Sequence, residues 1–225
     1  AGMVSTVILR DYTEAAAQGC LALVDNSSGT RIHDLSIQSA VGTTGGNMIS
    51  AVSSASFAIS GTIFENLWLT TQGSNTHINT IYFDGTAKTD APTGIRDISL
   101  KNVHVFGANG YSAKLMGLIG FSWFGGGAFA AGGTNVNSGG IQIGGITEVK
   151  SNYVVTDIIN CNGFNLTNCS DMKLSSASIG ALSGVSVNND TTCAHTAVYG
   201  RVSGTVAANW TNSGIRRPSA VWSAT

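Results

Sequence analysis

A six-residue unit recurs along this chain: an apolar residue, any residue, Asp or Asn, an apolar residue, any residue, an apolar residue. It reads Ile32-His33-Asp34-Leu35-Ser36-Ile37, then Phe64-Glu65-Asn66-Leu67-Trp68-Leu69, then Ile95-Arg96-Asp97-Ile98-Ser99-Leu100. The Asp/Asn positions are 34, 66 and 97, spaced by 32 and 31 residues. Cys169-Ser170-Asp171-Met172-Lys173-Leu174 is a fourth copy, and Ser138-Gly139-Gly140-Ile141-Gln142-Ile143 fits with Gly140 at the third position. A looser copy lies near Arg201-Val202, and one interval, from Asp97 to Gly140, stretches to 43 residues. A fixed period of this length marks a repeat architecture.

Each unit has a physical reading. Alternation at Leu35/Ile37, Leu67/Leu69, Ile98/Leu100, Ile141/Ile143 and Met172/Leu174 predicts short strands with one buried face. The apolar residue three places earlier has the wrong parity for one continuous strand, so a bend must intervene. Asp, Asn or Gly there can take the left-handed backbone conformation that a tight bend needs. The pattern continues as Leu100-Lys101-Asn102-Val103-His104-Val105, giving strand, bend, strand. Units of this kind stack well as coils of a solenoid, each strand pairing in parallel with its copy one coil away. Seven or so coils of about 31 residues would use nearly the whole length, so 1–225 reads as a single all-β domain. Asp34, Asn66, Asp97, Gly140 and Asp171 should then form one column, neighbours about 4.8 Å apart. A β-sandwich or jelly roll is the alternative; it needs no fixed register.

Composition narrows the field. Lys+Arg is 11 and Asp+Glu is 12, a net charge of −1. Arg216-Arg217 is the only adjacent basic pair, which excludes bulk attraction to nucleic acid or an anionic membrane. Charged residues make up 10%, against about 25% in an average globular chain, and Gly (29 residues), Ser, Thr and Asn take their place. Helix-favouring side chains are scarce. No apolar run approaches the roughly 20 residues that span a bilayer, so no membrane insertion is expected. No basic region precedes an apolar stretch, so no signal peptide is visible. Four cysteines in 225 residues do not make a disulfide scaffold.

The unit itself, the Asn-rich bends and the stretch Asp11-Tyr12-Thr13-Glu14-Ala15-Ala16-Ala17-Gln18 carry a resemblance. The chain resembles the right-handed parallel β-helix proteins of the pectate-lyase-like superfamily, which includes bacteriophage tailspikes and tail fibres. The resemblance implies a right-handed parallel β-helix with a short N-terminal capping helix at 11–19. It also implies a virion-tail or extracellular location, a homotrimer and recognition of a bacterial surface polysaccharide during host attachment. It covers most of the chain and departs at the Gly-rich segment 120–145.

Candidate chemistry starts with carboxylates, because glycoside cleavage needs two of them flanking the bond. Asp34, Asp97 and Asp171 recur at the bend position, where a structural role fits, their side chains bonding nearby backbone or stacking between coils. Glu65, off the bend position, neighbours Trp68, which should point outward between buried Leu67 and Leu69; Glu65 with Asp84 or Asp97 would be the pair of a depolymerase. The bland reading of Glu65 is a solvated side chain beside a Trp buried between subunits. Histidines 33, 77, 104 and 195 have no metal-ligand spacing, and no Cys-x-x-Cys, nucleophile elbow or phosphate loop occurs, so no metal and no cofactor are expected. Cys161 and Cys169 should be buried thiols.

The segment 120–135, Gly-rich and aromatic, accounts for the long interval. Read functionally it is a projecting recognition loop, with Trp123, Phe124 and Phe129 stacking on sugar rings as Trp68 would on a coil face. Read structurally its aromatics fill a widened coil or a subunit seam. Three functions follow: a glycan-binding domain of a phage tailspike or tail fibre, a polysaccharide depolymerase (hydrolase or lyase), or a structural spacer or folding domain of a fibre.

Overall fold

A computed structural model describes residues 6–10, 19–24, 27–39, 46–54, 58–70, 79–87, 94–107, 110–130, 139–144, 153–168, 170–180, 185–189, 193–202 and 205–208. Among them every regular element is a strand. The chain first lays down β1 (Thr6–Arg10) and β2 (Gly19–Leu23), then β3 (Arg31–Ser39) and β4 (Asn47–Val52). Three passes of three strands follow. They are β5 (Ile59–Ser60), β6 (Ile63–Thr70) and β7 (Asn79–Asp84); β8 (Ile95–Arg96), β9 (Ser99–Gly107) and β10 (Tyr111–Met116); and β11 (Leu118–Ile119), β12 (Phe121–Ala130) and β13 (Ile141–Gly144). Three passes with two described strands each come after them: β14 (Tyr153–Cys161) with β15 (Phe164–Thr167), β16 (Ser170–Ile179) with β17 (Val185–Asn189), and β18 (Ala194–Val202) with β19 (Thr205–Ala208).

These strands form three sheets. Sheet I holds eight strands in the order β1-β3-β6-β9-β12-β14-β16-β18, and sheet II the eight that alternate with them, from β2 to β19. Sheet III holds β5, β8 and β11. Every pairing is parallel, and each strand is flanked in its sheet by the strands of the preceding and following passes. The expected capping helix at 11–19 lies outside the described residues except for Gly19, which opens β2.

The predicted alternation is what is buried. Ile37, Leu69, Leu100, Ile141, Ile143 and Leu174 are all sealed from solvent. Between the sheets runs an aromatic series, Phe64 against Phe83 (ring centroids 5.8 Å apart) and Phe83 edge-on to Phe121 (6.5 Å). Each such side chain contributes about 1.5–3 kcal/mol by leaving water. Parallel pairing is compatible with this only because the same residue class recurs at each rank, so that Leu67, for example, meets Leu35 on one side and Val103 on the other.

The expected bends exist, but in two columns rather than one. Asp34 (φ 56°), Asn66 (53°), Asn102 (51°) and Gly125 (70°) occupy one rank of sheet I, between the paired residues on either side. Asn66 Nδ2 donates to Asp34 Oδ1 at 2.9 Å, and Asn102 Nδ2 to Asn66 Oδ1 at 3.0 Å. Left-handed backbone costs about 1–2 kcal/mol per ordinary residue, and this amide ladder offsets it.

Asp97 (φ 55°) belongs to a second column with Gly29, Gly61 and Gly120, where β5, β8 and β11 end. Asp171 stands two residues before Lys173, which shares a rank with Val154, Ser122 and Ser99, so it aligns with Asp97 rather than with Asp34. Gly140 leads into β13, a strand of sheet II. The uniform 31-residue column is thus corrected. A pass with two bends carries two Asp/Asn/Gly sites, and successive members of the Asp34–Asn66–Asn102–Gly125 column lie 32, 36 and 23 residues apart.

The reading of the segment 120–135 as a projecting loop is corrected over 121–130, while 131–135 lie outside the described residues. Residues 121–130 are no projecting loop but strand β12, paired without a break from Ala128 to Ala130 against Val105 to Gly107. Trp123 has 0% exposure and takes the inward rank of Phe64 and Leu100. Its indole Nε1 donates to the Gly125 carbonyl at 2.9 Å, so the one polar atom of the ring is satisfied inside the core. Gly126 takes the inward rank of Leu67 and Val103; a Cβ there would lie 2.1 Å from the Val103 carbonyl oxygen. The glycines let β12 approach β9 while the indole fills the interior.

Candidate functional site

Sheet I turns a long outward face to solvent, and the Asp34–Asn66–Asn102–Gly125 column divides it lengthwise. Before the column lie two outward ranks, Arg31, Ile63, Ser99 and Ser122, then His33, Glu65, Lys101 and Phe124. After the column come two ranks: Ser36, Trp68, His104 and Gly127, then Gln38, Thr70, Phe106 and Phe129.

Four rings of the second strip meet across three strands. Trp68 packs on His104 (4.8 Å, planes 29° apart) and on Phe106 (4.9 Å, 31°). Phe129 lies nearly parallel to Phe106 (4.8 Å, 12°) and to His104 (6.5 Å, 10°). Trp68 is 41% exposed between buried Leu67 and Leu69, as its parity predicted. The rings stack along the direction from strand to strand, so each covers much of its neighbour's face, and the strip presents rims as well as the uncovered part of Trp68. Burial holds His104 below the ordinary imidazole pKa, and its Nε2 lies 3.1 Å from Asn102 Oδ1. The Ser36 hydroxyl donates to the Trp68 carbonyl at 3.0 Å, tying the rank to β3.

Of the four aromatic residues singled out in the sequence, the structure brings together Trp68 and Phe129. Phe124, 44% exposed, stands across the bend column from them, and Trp123 is in the core. His104, Phe106 and the amide of Asn102 are not among the binding candidates that the sequence offered. Aligning the unit on Asn102 instead of Asp97 puts His104 at the place of Trp68 and Phe106 two residues on, which is the signal that would have found them.

Two of the acidic candidates, Glu65 and Asp84, are engaged locally. Glu65 Oε2 accepts from Arg31 Nε at 3.1 Å and also from Arg31 Nη2. Asp84, at the end of β7, accepts from the Tyr82 hydroxyl (2.7 Å), the Thr86 backbone N–H (3.0 Å) and the Thr86 hydroxyl (2.5 Å). Burial and then Asp84 raise the Tyr82 phenol pKa far above its ordinary value. Asp97 aligns with Gly61, four positions before Glu65. Glu65 and Asp84 face outward from different sheets, so these two do not flank a common substrate bond. Beside Glu65 stands a second pair: His33 Nδ1 lies 2.9 Å from Asp34 Oδ2, a contact that, with the Asn66 amide, lowers the Asp34 pKa.

Cys161 is fully buried, its thiol donating to the Gly163 carbonyl at 3.2 Å and its pKa pushed up to about 12 by burial; Cys169 lies outside the described residues. Among the described residues no three His, Cys, Asp or Glu side chains converge as a metal site would require, and no helix is long and apolar enough to cross a membrane. Comparison with protein-family models, with curated proteins and with solved structures gives no match.

Proposed function

We propose that the chain is a right-handed parallel β-helix from a phage tailspike or tail fibre, and that the aromatic strip of sheet I binds a bacterial surface polysaccharide during host attachment. The β-helix reading is supported by three parallel sheets visited in rotation, and its hand by the strong right-handed preference of parallel crossovers. The observation that carries the binding reading is Trp68. A large amphipathic ring stays 41% exposed while clamped on two other rings, so little side-chain freedom is left to lose on binding. Exposed amides border it, suited to sugar hydroxyls. The domain would act outside the cell, on the virion tail.

Titration of purified host polysaccharide or whole host cells into wild type and Trp68→Ala tests this. Binding by wild type that drops ten- to a hundredfold in the variant is the expected result. Equal binding by a correctly folded Trp68→Ala would move the receptor site elsewhere.

A second reading has its own support. Ring-on-ring stacking across β6, β9 and β12 also serves as a structural ladder, which is what a spacer or folding domain of a fibre needs. It gains if no saccharide binds. For the depolymerase reading, release of reducing ends or unsaturated sugars from the polysaccharide is the deciding assay. Assembly as a homotrimer belongs to the same proposal, since Phe124 (44%) and Ile159 (55%) leave apolar area at the surface of sheet I. Light scattering giving the mass of one chain would rule the trimer out.

A further inference from the structure

Resting on the polysaccharide reading above, we infer that the strip takes an uncharged, extended glycan that crosses the strands with one sugar residue per strand.

The charge pattern sets the class of ligand. Among the described side chains of sheet I, Arg31, His33, Glu65, Lys101 and Lys173 all lie before the bend rank. Arg31 is taken up by Glu65, and His33 by Asp34. Beyond the bend column the two aromatic ranks hold no Asp, Glu, Lys or Arg from β3 to β12. Their one titratable side chain, His104, faces Trp68 and Phe129 from the neighbouring strands and Asn102 from its own. A uronate, sialate or phosphate laid on this strip would give up hydration with no cation to replace it. A neutral sugar loses nothing of the kind.

The amide ladder sets the direction. An Asn amide has two N–H donors, and Asn66 and Asn102 each use one on the next Asx residue, leaving one apiece beside the rings. Both residues are exposed. They recur from strand to strand at about 4.8 Å, close to the advance of one residue along an extended hexose or pentose chain. Sugars over β6 and β9 would therefore meet the same border donor, and each of three successive sugars a ring, from Trp68 and His104 in the first rank or Phe106 and Phe129 in the second. With rings on β6, β9 and β12, the footprint is about three sugars.

Calorimetric titration with cello-, xylo-, manno- and laminari-oligosaccharides, disaccharide to hexasaccharide, reads both parts, with hyaluronan and alginate as the acidic probes. Expected is binding of a neutral series, with affinity rising to about the trisaccharide and then levelling, and changing less than twofold between low and molar salt. Asn102→Gly keeps a residue that tolerates the bend, removes only the amide, and should weaken binding three- to tenfold; Lys101→Ala should leave it unchanged. Preference for hyaluronan or alginate, with salt-sensitive binding weakened by Lys101→Ala, would overturn the uncharged-ligand inference and leave the glycan reading standing. Affinity that levels at a single sugar, or an Asn102→Gly variant that melts like wild type and binds equally well, would overturn the strand-by-strand register. Failure of every saccharide to bind wild type would sink the glycan reading itself.

Discussion

Trp68 and Trp123 stand on strands of the same sheet, in similar company, and meet opposite fates. Trp68 is 41% exposed and Trp123 is 0% exposed. Each lies two residues from a left-handed bend, Trp68 after Asn66 and Trp123 before Gly125. In a plain strand, residues equally far on either side of a position share a face. Here the bend residue shifts the alternation, so that position −2 points inward with Phe64 and Leu100, while +2 points outward with His104. One backbone angle decides whether a tryptophan holds the core together or faces a ligand.

The sharpest way to break that comparison is Trp123→Ala. Emptying a sealed site of this size should cost about 3–5 kcal/mol, read by chemical denaturation, with glycan affinity of the folded fraction unchanged. A loss below 1 kcal/mol would mean the ring is not packed as described. Next comes Gly126→Ala, whose new methyl would meet the Val103 carbonyl at a position with φ +88°. Strain and backbone displacement should cost about 1–3 kcal/mol, seen as a lowered Tm. Trp68→Ala should have the inverse profile to Trp123→Ala. It loses ring contacts worth about 1–2 kcal/mol, and its larger consequence is the drop in binding.

The smallest effect concerns pH. The folded His104 pKa lies below the ordinary 6.5 because burial disfavours the imidazolium. Between the folded value and 6.5 the unfolded chain binds more protons, so the contribution of His104 is fully present above about 6.5 and is lost as pH falls through the folded value. His104→Phe keeps a ring in the stack and should flatten that part of the stability–pH profile. An unchanged slope would place the titration elsewhere.

Much of the fold was legible residue by residue. Leu35/Ile37, Leu67/Leu69 and Met172/Leu174 announced strands with one buried face, and the Asx residues between apolar neighbours announced left-handed bends. The period was less legible. Asp97 and Asn102 both fit the unit within a few residues, and a string of letters does not say which one continues the column of Asn66. The strip was half legible. Trp68 stood out because a lone Trp between two Leu residues has an evident parity. His104 and Phe106 did not, because their partners lie 36 residues back in sequence and one strand away in space.

By itself the sequence determined an all-strand chain of repeated units, short of charge, with bends wherever Asp, Asn or Gly interrupts the apolar alternation. Those are local properties: side-chain parity, β-preference and tolerance of positive φ belong to each residue and its nearest neighbours. Tertiary structure alone decided which bend stacks on which, that residues 121–130 form a paired strand and not a loop, and that four rings from three passes meet on one face. Register between parallel strands is a contest among pairings that local pattern leaves nearly equal. It is settled by which alignment buries Trp123, fits Gly126 against Val103 and closes the Asp34–Asn66–Asn102 hydrogen bonds together.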